Sequence, residues 1–312
     1  MKKIDIIVPI FNEEKSILEL SENIRNISNE LKTDKQIEFK VLFINNGSTD
    51  DSRVILNNLH FEDIDIKCIN LIRNFGIDGA LKAGIDETNA DAAILIHGDL
   101  QDNTSDIKRL IELWEKGNEQ VVVRYKPNKR ENLIRKIGTY IYYKWANFAS
   151  SNLIIPGVSD FRIISKNVIN FMKSINETSY LLRGILIWPG FKYEIIDSVK
   201  GPRKYGKSHL NMSTMVTYFK LPLSLSTKVL YVIPAVSLIL FFISIIFILT
   251  TLVYFLITGN LIVQIEPRLS LIIILNVFVL LILGILSSFL GVVIDEVKKR
   301  PLYIKEVNTN RE

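Results

Sequence analysis

The chain holds one cysteine among 312 residues. That excludes an intramolecular disulfide. Cys68 stands in an apolar, strand-like run, so the expectation is a buried, inert thiol in a reducing compartment. No signal peptide is expected either. The apolar part of Met1–Ile10 is short, is broken by Asp5 and runs straight into Asn12, Glu13 and Glu14. The N-terminal part is therefore expected to stay in the cytoplasm. No internal repeat or low-complexity linker divides the chain, whose length suits one large domain or two modest ones. The formal charge of +5 gives no strong argument for nucleic acid, and it suits an anionic membrane surface or phosphorylated ligands equally well.

Charge itself is missing from two long runs, Leu230–Ile257 and Leu269–Ile294. Each exceeds the roughly 20 residues that cross a hydrocarbon core of about 30 Å. Soluble helices are rarely apolar on every face for so long. Lys220 and Lys228 flank the first run, and Lys298, Lys299, Arg300 and Lys305 follow the second. The positive-inside rule then puts both ends in the cytoplasm. The expectation is a two-helix transmembrane hairpin (230–257 and 269–294, within 229–295), an interfacial segment at 208–228 and a cytoplasmic tail at 296–312. The apolar face of the interfacial segment would lie on the bilayer or against a partner helix. Gly284 and Gly291, with Ser287 and Ser288 between them, offer a small-residue surface for a homo-oligomer or merely tolerate a tilt.

What is present in 1–207 is an alternation of apolar strands and single helices. Strands are predicted at Ile4–Ile10, Phe39–Asn45, Lys67–Ile72, Ala92–His97 and Gln120–Arg124. Helices are predicted at Glu13–Leu31, Asp51–Leu59, Gly79–Glu87 and Ser105–Glu115. Nearly all-apolar strands separated by helices indicate an α/β domain with a mainly parallel sheet covered on both faces. Ligands bind such sheets beyond the carboxyl ends of the strands. Each strand here ends in polar residues: Asn12-Glu13, Asn45-Asn46-Gly47-Ser48, Arg73-Asn74, His97-Gly98-Asp99 and Arg124.

Two readings stay open for most of these groups. The turn at Asn45–Ser48 is a helix-capping turn or a nucleotide cradle. His97, Asp99 and Gln101 share one parity beyond their strand, so they suit a divalent cation, with the imidazole favouring Mn²⁺ over Mg²⁺. The alternative is a loop with a capping Asp102 and a solvated His97. Asp160 and Arg162 open another strand-like run. Arg183 lies in a helical stretch, and Arg203 and Lys207 belong to a glycine-containing basic loop. Arginine and lysine grip phosphate, though any one of these side chains equally suits a surface ion pair. The basic stretch Arg124–Lys136 suits an anionic lipid head group.

Taken in order, these residues resemble a family. Val8-Pro9-Ile10-Phe11-Asn12-Glu13-Glu14 is followed by Asn45–Asp50, Arg73-Asn74-Phe75-Gly76 and Gly98-Asp99-Leu100-Gln101-Asp102. After them come Asp160-Phe161-Arg162, Leu182-Arg183-Gly184 with Trp188 and Gly190, and Arg203–Ser208. The pattern resembles the membrane-anchored polyprenyl-phosphate glycosyltransferases, of the dolichol-phosphate mannose synthase and bactoprenol glucosyltransferase type. The resemblance implies a GT-A (Rossmann-like) nucleotide-sugar-binding domain and inverting transfer of a sugar to polyprenyl phosphate for cell-surface glycans. It implies Pro9, Phe11, Glu13, Asn45, Asn46, Gly47, Ser48 and His97 around the nucleotide sugar, and Asp99, Gln101 and His97 on a divalent cation, Mn²⁺ or Mg²⁺. Catalysis would rest on Asp99, Arg124, Asp160 and Arg162. The acceptor phosphate would be held by Arg124 and Arg135 (with Arg130 a rival), helped by Arg183, Arg203 and Lys207. It implies a bacterial-type inner membrane, with the catalytic domain and both termini cytoplasmic, and no nucleic-acid partner. Two positions depart from the pattern, which usually has aspartate at Asn46 and at His97. A Gln-x-x-Arg-Trp motif is absent, which disfavours a processive synthase. The competing readings are a transferase acting on a lipid-linked oligosaccharide or glycolipid, and a non-catalytic membrane scaffold.

Overall fold

The computed structural model describes residues 1–126, 133–175, 181–202, 204–205, 265–298 and 300–306, with isolated residues between 222 and 257. In chain order the elements are β1 (Lys2–Ile10), α1 (Ile17–Lys35), β2 (Ile37–Asn45), α2 (Ser52–Asn58), β3 (Asp65–Asn70), α3 (Gly76–Glu87), β4 (Ala92–Leu95) and α4 (Asp106–Glu115). There follow β5 (Gln120–Tyr125), α5 (Leu133–Ala149), β6 (Val158–Ser165), α6 (Lys166–Ser174), α7 (Leu182–Ile187), β7 (Tyr193–Ser198) and α8 (Ile265–Lys298).

The strands form one sheet in the order β3-β2-β1-β4-β6-β5-β7. β1 runs parallel to β2 and β4, β2 to β3, and β5 to β7; β6 alone is antiparallel to its neighbours β4 and β5. This is the α/β class expected, GT-A-like, with a mostly parallel sheet. β1 is buried from Ile4 onward and β6 over its whole length, so both faces need cover. Period-2 alternation decides which residue meets which layer. Ile6, Val8 and Ile10 pack with Ile17, Leu20 and Ile24 of α1 and Ile107, Leu110 and Ile111 of α4. Ile7, Leu42 and Ile44 pack with α3, α6 and α7 on the other side. α1 suits its place because Ile17, Leu20, Ile24 and Leu31 fall on one face. Phe43 is fully buried, which is worth about 1.5–3 kcal/mol.

Boundaries differ from the sequence-based expectation where side chains intervene. α1 starts at Ile17 rather than Glu13, because Asn12 takes a left-handed φ of 56° and Ser16 closes a turn onto the Glu13 carbonyl (2.9 Å). β4 stops at Leu95, two residues before His97. Asp102 does not cap α4, whose N-cap is Ser105. A further helix, α5, begins at Leu133, inside the basic stretch.

The second charge-free run falls inside α8, a helix of 34 residues or about 50 Å. Most of the first run and most of the interfacial segment lie outside the described residues. The side chains of α8 are described in part, and among the described residues no helix is long and apolar enough to cross a membrane. α8 meets the domain where Phe289 and Ile285 pack on Ala149 and Trp145 of α5.

Candidate active site

Register brings the central charges together. In the antiparallel pair, Leu95 of β4 stands opposite Arg162 of β6. Two residues past Leu95 on one side and two before Arg162 on the other are His97 and Asp160. Their side chains meet at 3.4 Å, Nε2 to Oδ2. The other ring nitrogen, Nδ1, lies 2.9 Å from Asp102 Oδ2, which also accepts the His97 backbone N–H at 2.9 Å. The Tyr125 hydroxyl donates to the second Asp102 oxygen. β5 carries a register shift between Val122 and Arg124, just before Tyr125, and such irregularities re-aim the side chains that follow.

This geometry fixes the charge on His97. Burial alone would lower its pKa, but Asp102 and Asp160 outweigh burial and push it up to about 10. The expectation had His97 in the metal shell or at the nucleotide sugar; here its two ring nitrogens face Asp102 and Asp160, an arrangement that favours the protonated ring. The stability that His97 contributes is full below its unfolded value of about 6.5 and is lost as pH rises through about 10. At pH 8, nitrogen NMR of labelled histidine is expected to show a protonated ring for His97; a neutral ring titrating at the ordinary value would contradict the cluster.

Asp160 is 4% exposed and is gripped bidentately by Arg183, at 2.7 Å on each oxygen. Burial would raise its pKa, but Arg183 and His97 hold it well below the usual carboxylate range. Arg162 is fully buried. Its Nη2 donates to the Ser159 carbonyl at 2.8 Å, while burial draws its pKa down to about 10. Arg162 was expected to take part in catalysis; in the structure its charge lies buried close to Asp160 and balances it. Asp78, in the first turn of α3, joins the cluster; burial and Asp160 raise it to about 7. Sequence reasoning missed Asp78, Tyr125 and the role of Asp102. The antiparallel return of β6 that gathers them has no local signature.

Arg124 ends on the same rim. Its Nε donates to Asp197 Oδ1 of β7 at 2.7 Å, and the side chain stays 44% exposed. Arg135 lies in α5, but its side chain is outside the described residues, as are Arg130, Arg203 and Lys207 altogether.

At the other end of the rim, loops interlock beyond β1, β2 and β3. Asn45 donates to Asn70 Oδ1 (2.7 Å) and accepts from the Ser48 N–H (3.1 Å). Asn46 donates to Asn74 Oδ1 (3.1 Å) and the Gly76 carbonyl (3.0 Å), and it accepts from the Phe75 N–H (2.9 Å). Both side chains are buried, and their bonds clasp the turn that was expected to carry the nucleotide. This bonding also explains why an amide suits position 46: a carboxylate has no hydrogens for the two acceptors. Ser48 Oγ accepts from the Asn12 N–H (3.1 Å) and Ser52 Oγ from the Glu13 N–H (3.0 Å), which ties Phe11–Glu13 to the turn. Pro9 is buried in β1, and Phe11 and Glu13 are half-buried at the strand's end. Gly47 has φ 68°, and a Cβ there would sit 2.5 Å from the Arg73 backbone. Gly47→Ala is expected to cost about 1–3 kcal/mol and to weaken donor binding; an unchanged melting temperature would contradict this.

Asp99 and Gln101 stand between these two ends. Asp99 Oδ1 accepts the Gln101 N–H at 3.1 Å. The Gln101 amide nitrogen donates to the Gly201 carbonyl (3.4 Å), and Gly201 N–H returns a bond to the Gln101 carbonyl (2.9 Å). A cavity of about 330 Å³ adjoins them, lined by Leu100, Gln101, Asp102, Asn103, Gly201 and Lys204 among others. Among the described residues, no group of three or more His, Cys, Asp or Glu side chains is placed to hold a metal. One carboxylate and one amide still fit a hard cation that takes most of its oxygens from a diphosphate.

The glycosyl transferase family 2 model matches residues 5–172. Across 310 residues the chain is 31% identical to a prophage bactoprenol glucosyl transferase homolog of Escherichia coli K12, covering 97% of this chain and 98% of that one. It is 32% identical to an SfII prophage-derived bactoprenol glucosyl transferase of Shigella flexneri, covering 97% of each. Among solved structures, glucosyl-3-phosphoglycerate synthase of Mycobacterium tuberculosis, in complex with Mn²⁺, uridine diphosphate and phosphoglyceric acid, matches with a TM-score of 0.46 at 14% identity, covering 74% of this chain and 78% of that one. A sheet whose strand ends gather acidic and amide groups at one rim, matched by that family model over more than half the chain, makes this protein a glycosyltransferase of family 2.

Proposed function

We propose that the protein is a membrane-anchored, inverting enzyme that moves a sugar from a nucleotide-sugar donor to polyprenyl phosphate. The observation that supports this best is the near-full-length likeness to bactoprenol glucosyl transferases. It runs past the family match at 5–172 and through both charge-free runs. On this reading α8 and the run at 230–257 form the membrane hairpin, residues 1–207 are the cytoplasmic catalytic domain, and 208–228 lies at the interface. The location is a bacterial-type inner membrane, with both termini inside.

The acceptor's own chemistry suits the site. A phosphate monoester has a second pKa near about 6 and is largely ionised at neutral pH, so attack on the anomeric carbon needs no strong base. Asp160, held far below the carboxylate range by Arg183 and His97, is a poor base. A hydroxyl acceptor on a glycolipid would need a better one. The phosphate oxygen forms the new bond to the anomeric carbon as the bond to the diphosphate breaks, and the configuration inverts. Asp99 and Gln101 would hold the divalent cation, which when bound offsets the charge growing on the leaving diphosphate. Arg124, exposed at the rim, would hold the acceptor phosphate in line by exchanging or sharing Asp197. Arg135, Arg203 and Lys207 are further candidates for this role. A polyprenyl tail stays in the bilayer, so anchoring confines the search to two dimensions and raises the effective concentration.

The test supplies full-length protein in vesicles containing undecaprenyl phosphate with a panel of nucleotide sugars. Mass spectrometry is expected to find a sugar phosphoryl-linked to the polyprenol. Transfer only to an oligosaccharide or glycolipid hydroxyl would support the other transferase reading, and no binding of any donor at millimolar concentration would support a scaffold.

A further inference from the structure

The tail after α8 does more than trail into solvent. Lys305 makes an antiparallel bridge to Leu71, just past the end of β3. The Ile72 N–H donates to the Ile304 carbonyl at 3.2 Å, and the Glu306 N–H donates to the Asn70 carbonyl at 2.8 Å. Side chains reinforce the join. Tyr303 donates to Asp86 at 2.9 Å, Lys305 to Glu87 at 2.5 Å, and Arg53 pairs with Glu306 at 2.7 Å. Leu302 and Tyr303 pack on the apolar cluster of α3. The Leu302 carbonyl comes so close to α3 that a Cβ on Gly79 would sit 3.0 Å from it.

This contact lies on a functional neighbour. Asn70, Leu71 and Ile72 lead directly into Arg73–Gly76, the loop that Asn46 brackets and whose backbone covers Gly47. Gly76 and Gly79 belong to the first turn of α3. Leu302 is four residues beyond the end of α8, so at most about 14 Å of chain separates that helix end from the loop. Covering the edge of β3 would by itself require only backbone pairing. The side-chain grip on the last turn of α3, and on Arg53 of α2 next to the turn tied to the β1 end, goes beyond that.

We propose that residues 302–306 are a positioning element of the donor site, a strap that fixes the Arg73–Gly76 loop and the start of α3 and so ties nucleotide binding to the end of the membrane-proximal helix. The inference rests on the reading, implied by the family resemblance, that Pro9, Phe11, Glu13 and the Asn45–Ser48 turn hold the nucleotide sugar. A merely structural tail would leave the balance between donor and acceptor unchanged.

The test compares the full chain with a chain ending at Pro301 and with Glu306→Pro, which removes one strap N–H. Glu306→Gln, which keeps the N–H, is the control. Without nucleotide, hydrogen exchange of residues 70–79 is expected to rise in the truncated and proline variants only. The apparent KM for the nucleotide sugar is expected to rise about tenfold, while kcat and the KM for polyprenyl phosphate stay within about twofold. Unchanged exchange at 70–79, or equal shifts in both KM values, would overturn the proposal. If the donor reading itself is at fault, exchange will still rise in the variants. In the intact chain, however, neither uridine nor guanosine diphosphate with Mn²⁺ will protect residues 45–49 and 73–79.

Discussion

Replacing Asp160 by Asn is expected to destabilise the domain by about 3 kcal/mol, the lower end of the range for breaking a buried pair by removing one partner. The lower end applies because Arg183 keeps 42% of its side chain exposed and regains water when released. The remaining cost falls on Arg162, which is fully buried and loses its strongest neutralising neighbour, and on His97, which keeps only Asp102. Asparagine matches the carboxylate in size, so the loss is electrostatic and not a cavity. Denaturant unfolding of the solubilised chain measures it. A double-mutant cycle with Arg183→Met is expected to show coupling above about 1 kcal/mol. Additive effects would mean the two side chains do not share a pair in solution. Activity falls with Asp160→Asn as well, because the charge that orients Arg183 and His97 at the end of β4 is gone.

Asp99→Asn is expected to behave in the opposite way: a loss of turnover of about 100- to 1000-fold with little change in stability. The asymmetry comes from the surroundings. Asp99 is half-buried, and among the described residues its short-range task is accepting the Gln101 N–H at 3.1 Å. An amide oxygen performs that task nearly as well. An amide does not match a carboxylate's charge beside a cation and a diphosphate. Steady-state rates over a Mn²⁺ series decide the matter. The variant should need more Mn²⁺ and still fall short at saturation; unchanged turnover would refute the assignment of Asp99 to the cation.

How much of this was legible beforehand follows from the range of the interactions. The parallel half of the sheet could be read because each strand is a short, nearly all-apolar run punctuated by a polar tip, and each helix between carries one apolar face. The site was legible as a list of rim residues for the same reason. What each rim residue does was less legible. His97 and Asp160 are 63 positions apart in the chain and meet only because β6 runs against β4 in one particular register. Asn46 looked like a ligand for a base, yet its three hydrogen bonds close on a loop 28 to 30 residues away. Local pattern shows that an amide stands at a strand tip; it does not show whether the amide faces outward or clasps a neighbouring loop. The tail was hidden for a related reason. Leu302–Glu306 has no strong strand pattern of its own and gains order from β3 and α3, more than 200 residues earlier.

Aspartate at position 97 would place a third carboxylate beside Asp102 and Asp160. Here a histidine stands there, with its pKa raised by the two carboxylates, which brings the cluster closer to neutral before any cation binds. The consequence is a cation site built on fewer anionic ligands, which depends more heavily on the donor's diphosphate. Cation affinity in the absence of nucleotide should accordingly be weak.

The most direct test is an experimental structure of the full chain with uridine diphosphate and Mn²⁺, or with whichever nucleoside diphosphate binds. The account predicts the diphosphate and the ion against Asp99 and Gln101, the nucleoside over the Asn12–Ser48 rim, and His97 still held between Asp102 and Asp160. An ion ligated by His97, or a nucleotide seated away from the carboxyl ends of β1, β2 and β4, would contradict it.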